Sequence, residues 1–215
     1  MAEVPGPTIV ERAVQVLRDG ELVILPTDTV YGIAADVRDD EAVRALYAAK
    51  QRDPSLPLQL LFGRDPRLLD SYAVLTGPAR RLISALGPGA WTVIVPAREG
   101  WDSPALSGGR TVGIRIVPVG LVLDIVDRLG APLAASSANV SDGPSPATCE
   151  DAERQVGVFC ALSIDGGPTE QGIDSTVIDL AGEDPRILRE GAIDRDTIAR
   201  ILGVSQIPVL RSVRP

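Results

Sequence analysis

Leu22-Val23-Ile24-Leu25-Pro26-Thr27-Asp28-Thr29-Val30-Tyr31-Gly32 is an apolar run that turns, at a proline, into hydroxyls and a carboxylate. Four apolar residues in succession, closed by Pro26, read as a buried strand. The polar stretch then hangs off the strand's C-terminal end, where open α/β sheets hold ligands. Upstream, Ile9, Val10, Ala13, Val14 and Leu17 recur at helical spacing over 8–18, and Gly20 stops them. Downstream, Asp39 or Asp40 caps a helix carrying Val43, Leu46 and Ala49 that ends near Lys50.

The interleaving continues along the chain. Strands are expected at 57–62, 91–95, 111–117, 133–136, 161–164, 175–180 and 186–188. Helices are expected at 78–86, at 121–129, from the Thr148/Asp151 cap to about Val156, and at 196–202. No repeat or linker divides the 215 residues, so one domain over 1–215 is expected, its core at about 8–203 with a short C-terminal tail. Hydrophobic residues make up 45% but aromatics only 3%, so the core must be Val, Ile, Leu and Ala. That composition favours an α/β protein with apolar parallel strands over an aromatic-rich sandwich.

Other features exclude function classes. The chain has no histidine, which removes Ser-His-Asp and Cys-His catalysis, imidazole acid–base chemistry and the usual zinc sites. A net charge of −8 argues against an overall nucleic-acid footprint, although a local basic groove is compatible with it. No apolar run is long enough to cross a membrane, and residues 1–8 do not read as a leader. Cys149 and Cys160 are not in a Cys-x-x-Cys spacing. A thiol-reduced, cytoplasmic chain is expected.

Five places carry chemistry-capable residues. Pro26 to Gly32 is either a small-ligand pocket using Thr29 or a turn held by its own side chains. Lys50 and Arg52 either complement a helix dipole or clamp a phosphate chain. Arg115, amid apolar strand residues, either faces solvent at an edge or points into an anion site, with Thr111 on the same face. Ser136-Ser137-Ala138-Asn139, followed by Ser141, Gly143 and Ser145, is either a surface loop or a phosphate cradle. The last group is Asp165-Gly166-Gly167-Pro168, Asp174 to Val177, and Arg186 to Gly191, where Arg189 either reaches a nucleotide or is solvated. No Gly-x-x-x-x-Gly-Lys-Ser/Thr loop occurs, so this is not a P-loop binder.

Taken in order, these segments resemble the YrdC/Sua5 family of threonylcarbamoyl-AMP synthases. The matching pieces are Pro26 to Gly32, Lys50-x-Arg52, Gly87-Pro88-Gly89-Ala90-Trp91-Thr92, Val112-Gly113-Ile114-Arg115, Ser136 to Asn139, Asp174 to Val177 and Ile187 to Gly191. The resemblance implies a twisted, mixed α/β sheet with flanking helices around a concave basic cavity. It also implies a nucleotidyltransferase that makes threonylcarbamoyl-AMP and pyrophosphate from L-threonine, bicarbonate and ATP, with Mg²⁺ accompanying ATP. In that family the product goes to a separate transferase that modifies adenosine 37 of tRNA. By motif, Lys50 and Arg52 are the catalytic, phosphate-binding pair. Thr111, Ser137, Asn139, Ser145 and Arg189 complete the ATP site. Thr29, Arg115, Ala135 and Ser175 hold L-threonine, with Arg115 on its carboxylate.

The chain departs from the family where Asn-Pro-Leu-Ile-Val-His often stands. Leu56-Pro57-Leu58-Gln59-Leu60-Leu61 puts leucine at both the asparagine and the histidine positions. A role of that histidine in placing threonine is therefore absent or replaced. The implied chemistry does not itself require one. A carbamate oxygen is already anionic, so the protein has to position it and neutralise developing charge. Two other readings are a relative that forms carbamoyl-AMP from carbamoyl phosphate, and a non-catalytic RNA-binding module. The lack of basic–aromatic interleaving weighs against the second.

Overall fold

Thr8 caps the first helix, α1 (Ile9–Arg18): its hydroxyl accepts from the Glu11 N–H, and the Glu11 carboxylate accepts from the Thr8 N–H. Two donors that the helix cannot satisfy are thereby paired. The computed structural model describes residues 8–210. The reading of residues 1–7 as lacking a leader lies outside them.

After α1 come β1 (Leu22–Leu25), β2 (Gly32–Asp36), α2 (Asp40–Lys50), β3 (Gln59–Phe62), α3 (Pro66–Tyr72) and α4 (Gly77–Leu86). Then follow β4 (Trp91–Pro96), β5 (Thr111–Ile116), α5 (Gly120–Leu129), β6 (Leu133–Ser137), α6 (Cys149–Val156), β7 (Cys160–Ser163), β8 (Thr176–Asp179), β9 (Arg186–Arg189) and α7 (Arg195–Leu202). The nine strands form one sheet in the order β7-β1-β2-β6-β3-β5-β4-β8-β9.

The sheet is mixed, as the family resemblance implies; the parallel strands that composition alone favours are corrected. β1 with β7, β3 with β5 and β4 with β8 pair parallel; the other five neighbouring pairs are antiparallel. The apolar runs that suggested parallel strands arise because helices cover both faces, which antiparallel strands also permit. Two elements escaped the sequence reading. β2 is Gly-Ile-Ala-Ala-Asp, too small and short for a strand pattern, yet it is fully buried between β1 and β6. α3 starts at Asp65 as N-cap with Pro66 in its first turn, the residues that favour a start.

Alternate strand residues enter two apolar layers. Ile24, Leu60 and Phe62 join the larger layer, packed with α2, α4, α6 and α7. Leu25, Leu61 and Leu133 join the smaller one, under α1 and α5. Gln59 lies two residues from Leu61 and so shares its face, but it opens onto a cavity instead. The cavity is thus the part of this face that α1 and α5 leave uncovered.

Candidate functional site

The cavity holds about 300 Å³ and is floored by β3, β4, β5 and β6. Its walls are the loop after β1, the loop after α2 and the segment entering β8. Arg115 lies on β5, inside the sheet, with only 3% of its side chain exposed. Its Nη2 donates to Asp28 Oδ1 at 2.6 Å and to Thr29 Oγ1 at 2.9 Å, and its Nε donates to the Gly89 carbonyl at 3.1 Å. Burial pulls this guanidinium below its ordinary value while Asp28 pushes it back up. The solvated-edge reading of Arg115 is excluded, and Asp28 is a partner that the sequence reading did not assign. Asp28 Oδ2 is buried without a hydrogen-bond partner, so the pair is not fully satisfied internally.

Thr29 is oriented by its neighbours. Thr27 Oγ1 donates to the Val30 carbonyl at 2.6 Å and sits 3.0 Å from Thr29 Oγ1. The turn reading of this stretch is met, and the turn aims Thr29 at Arg115 on the cavity wall.

Lys50 occupies the last turn of α2, but its ammonium is not solvated; the residue is 2% exposed. Nζ donates to the Ser137 carbonyl and, at 2.5 Å, to that of Asn139. Burial, together with the Arg52 charge, lowers it to about 8. Asn139 then closes its own loop, donating from Nδ2 to the Val140 and Gly143 carbonyls. Lys50, Asn139 and Ser145 are absent from the cavity wall, whereas Thr29, Arg52, Thr111, Arg115, Ala135, Ser137, Ser175 and Arg189 line it. Lys50 underpins the Ser137–Asn139 backbone from behind. Arg52 follows Gln51, a left-handed helix end, and donates to the carbonyls of Leu56 and Pro57 at 3.2 and 3.1 Å.

The far wall is tied by Arg189. It donates to the Ser175 carbonyl at 3.1 Å, to Ser175 Oγ at 3.2 Å and to Asp174 Oδ2 at 3.4 Å. Ser145 donates to the same Asp174 carboxylate. Gly191 allows β9 to pass this closely: a Cβ there would lie 2.2 Å from the Asp174 carbonyl oxygen and 2.7 Å from Ser175 backbone atoms. Gly191→Ala is expected to destabilise the chain by about 2–3 kcal/mol through overpacking against immobile backbone. An unchanged thermal midpoint would refute this.

Gln59, Thr92, Asp174 and Leu56 also line the cavity and were not assigned beforehand. Gln59 was visible as the one polar residue within Leu58 to Leu61, on an alternating strand. Leu56 is half exposed at the rim, and Leu61 is 1% exposed in the smaller apolar layer. Both cysteines are free thiols, and burial pushes Cys160 up to about 12, which removes it as a nucleophile. Among the described residues, no group of three or more His, Cys, Asp or Glu could hold a metal, and no helix is long and apolar enough to cross a membrane.

The family model described as "Telomere recombination" (Sua5, YciO, YrdC) matches residues 15–191, a span that contains every residue named in the cavity. The chain belongs to the Sua5/YciO/YrdC family. A Mycobacterium tuberculosis relative (strain ATCC 25618 / H37Rv) is 40% identical over 195 residues, covering 89% of this chain and 88% of its own. A Bacillus subtilis relative named threonylcarbamoyl-AMP synthase is 37% identical over 90% of this chain and 56% of its own. The crystal structure of Pyrococcus abyssi Sua5 complexed with L-threonine superposes with a TM-score of 0.88 at 31% identity, over 94% of this chain and 58% of that one. The chain therefore spans little more than half of the longer Sua5/YciO/YrdC members it matches, and its fold is that of Pyrococcus abyssi Sua5 over the shared length.

Proposed function

We propose that this chain is an L-threonylcarbamoyladenylate synthase, forming threonylcarbamoyl-AMP and pyrophosphate from L-threonine, bicarbonate and ATP for tRNA modification. The observation that carries the reading is Arg115: a buried guanidinium inside the cavity, beside Thr29, with Arg52 and Arg189 on the surrounding walls. A small carboxylate and a polyphosphate can be neutralised there together.

The amine of threonine and bicarbonate combine to a carbamate with loss of water. The carbamate oxygen attacks the α-phosphorus of ATP, and pyrophosphate leaves. Arg115 and Thr29 hold the amino-acid carboxylate, while Ala135 leaves room beside it. Ser175 borders the same end. Arg52 and Arg189 take phosphate oxygens, and Thr111 and Ser137 contact the nucleotide. Lys50 acts from behind the Ser137–Asn139 backbone, holding the Ser137 and Asn139 carbonyls and with them the shape of the loop beside the phosphates. Asn139 and Ser145 serve as loop-positioning residues. Mg²⁺ would accompany ATP and neutralise charge on its phosphates, since no group of three or more carboxylates among the described residues could hold the ion by itself. The product would pass to a tRNA threonylcarbamoyl transferase.

The test is incubation with ATP, Mg²⁺, bicarbonate and L-threonine, with mass detection of the adenylate and pyrophosphate. Threonine-dependent appearance of both is expected; product formed without threonine refutes the reading.

A pH dependence follows from Lys50. With its folded value lowered to about 8, the folded chain gives up this proton between about 8 and 10.5, while the unfolded chain still holds it. Lys50 therefore penalises the fold below about 8, and that penalty fades as pH rises towards 10.5. In the folded chain the charge behind the loop is lost as pH passes about 8. The KM for ATP is expected to rise severalfold as pH climbs through about 8, and to be flat there in Lys50→Met. A wild-type KM that does not change across that window counts against the assignment.

A further inference from the structure

We propose that Gln59 is the specificity-determining residue of this cavity, donating from its amide nitrogen to the side-chain hydroxyl oxygen of the amino-acid substrate; the proposal rests on the threonine-dependent reading above.

The orientation of the amide follows from a hydrogen-bond chain. Arg189 can only donate, and its Nη2 lies 3.2 Å from Ser175 Oγ, which must accept. Ser175 is 2% exposed, so its own proton needs a partner, and Thr92 Oγ1 is 3.0 Å away. With Thr92 accepting from Ser175, its proton goes to Gln59 Oε1 at 2.7 Å. Each link is fixed by the one before it. The chain ends with the Gln59 oxygen occupied and its two N–H donors directed elsewhere.

The sheet leaves only the cavity for them. Gln59 pairs with Gly113 on β5 and with Ala135 on β6, and cross-strand partners share a face. Neither neighbour has a side chain that could cover the amide. Gly113 keeps this space open: a Cβ there would press on Thr92 Cγ2 at 3.1 Å. Along β3, Leu61 is the register partner of Arg115, which puts Gln59 about 6–7 Å from that level on the same face. An α-amino acid with its carboxylate on Arg115 extends its side chain into this interval. Donors there suit an oxygen acceptor and leave an aliphatic side chain facing unpaired N–H groups.

The experiment compares kcat/KM for L-threonine with that for L-valine, its isostere without the hydroxyl, in wild type, Gln59→Met and Gln59→Glu. Wild type is expected to prefer threonine by at least about a thousandfold. Both variants are expected to lose tenfold or more of that ratio with the KM for ATP unchanged. Gln59→Glu keeps an acceptor for Thr92 while losing both donors, so a loss shared by both variants does not come from breaking the chain. A ratio within twofold of wild type in both variants overturns the proposal. A wild type that releases no pyrophosphate in response to threonine overturns the functional reading itself, and the proposal with it, whatever the variants do.

Discussion

Arg115→Met is expected to reduce threonine-dependent pyrophosphate release by about a thousandfold, the scale of removing a preorganised charge from an enclosed site. The same change leaves Asp28 as a buried, unpaired carboxylate, because Arg115 is its ion-pair partner and both side chains are almost wholly buried. Stability is therefore expected to fall by about 3–5 kcal/mol, read from urea unfolding. The two effects are separable. Asp28→Asn combined with Arg115→Met removes both charges and is expected to recover most of the lost stability without recovering turnover. If turnover returned in the double variant, Arg115 would only be filling space, and the proposed carboxylate site would fail.

Arg52→Ala is the complementary case. Its guanidinium donates to the Leu56 and Pro57 carbonyls, both on exposed residues that water can reach. Stability is expected to change by no more than about 1 kcal/mol. Turnover is expected to fall about a hundredfold or more with a raised KM for ATP, because an anion-facing arginine leaves the cavity wall. Arg52→Lys is expected to restore only part of it, since an ammonium cannot reproduce the planar fork. Wild-type-like turnover in Arg52→Ala would defeat the assignment of the phosphate subsite.

Burial and bonding divide the basic residues into different tasks. Arg52 and Arg189 are partly solvated on the walls, Arg115 is locked to Asp28 and Thr29, and Lys50 is spent on two backbone carbonyls. Sequence spacing leaves Lys50 and Arg52 open between helix-dipole charges and a clamp, and the family motif groups them as one clamp. The left-handed Gln51 between them sends the two side chains to different sides of the loop wall.

What the sequence determined by itself was local. Apolar runs closed by proline or glycine marked most strands, and hydroxyl and acidic caps such as Asp39 and Thr148 marked helices, because these preferences act within a few residues. The polar loops at strand ends were legible for the same reason, and the ordered motifs in them carried the family. The parallel or antiparallel sense of each pair was not legible, nor was β2, whose small residues become a strand only when β1 and β6 flank them. The site depended most on long-range pairing. Arg115 meets Asp28 across 87 positions, Lys50 meets Ser137 across 87, and Thr92 meets Ser175 across 83. Which charge is paired, which is buried behind a loop and which faces the cavity depends on those meetings. Only the tertiary structure could decide it, because a side chain's role is set by what surrounds it in space.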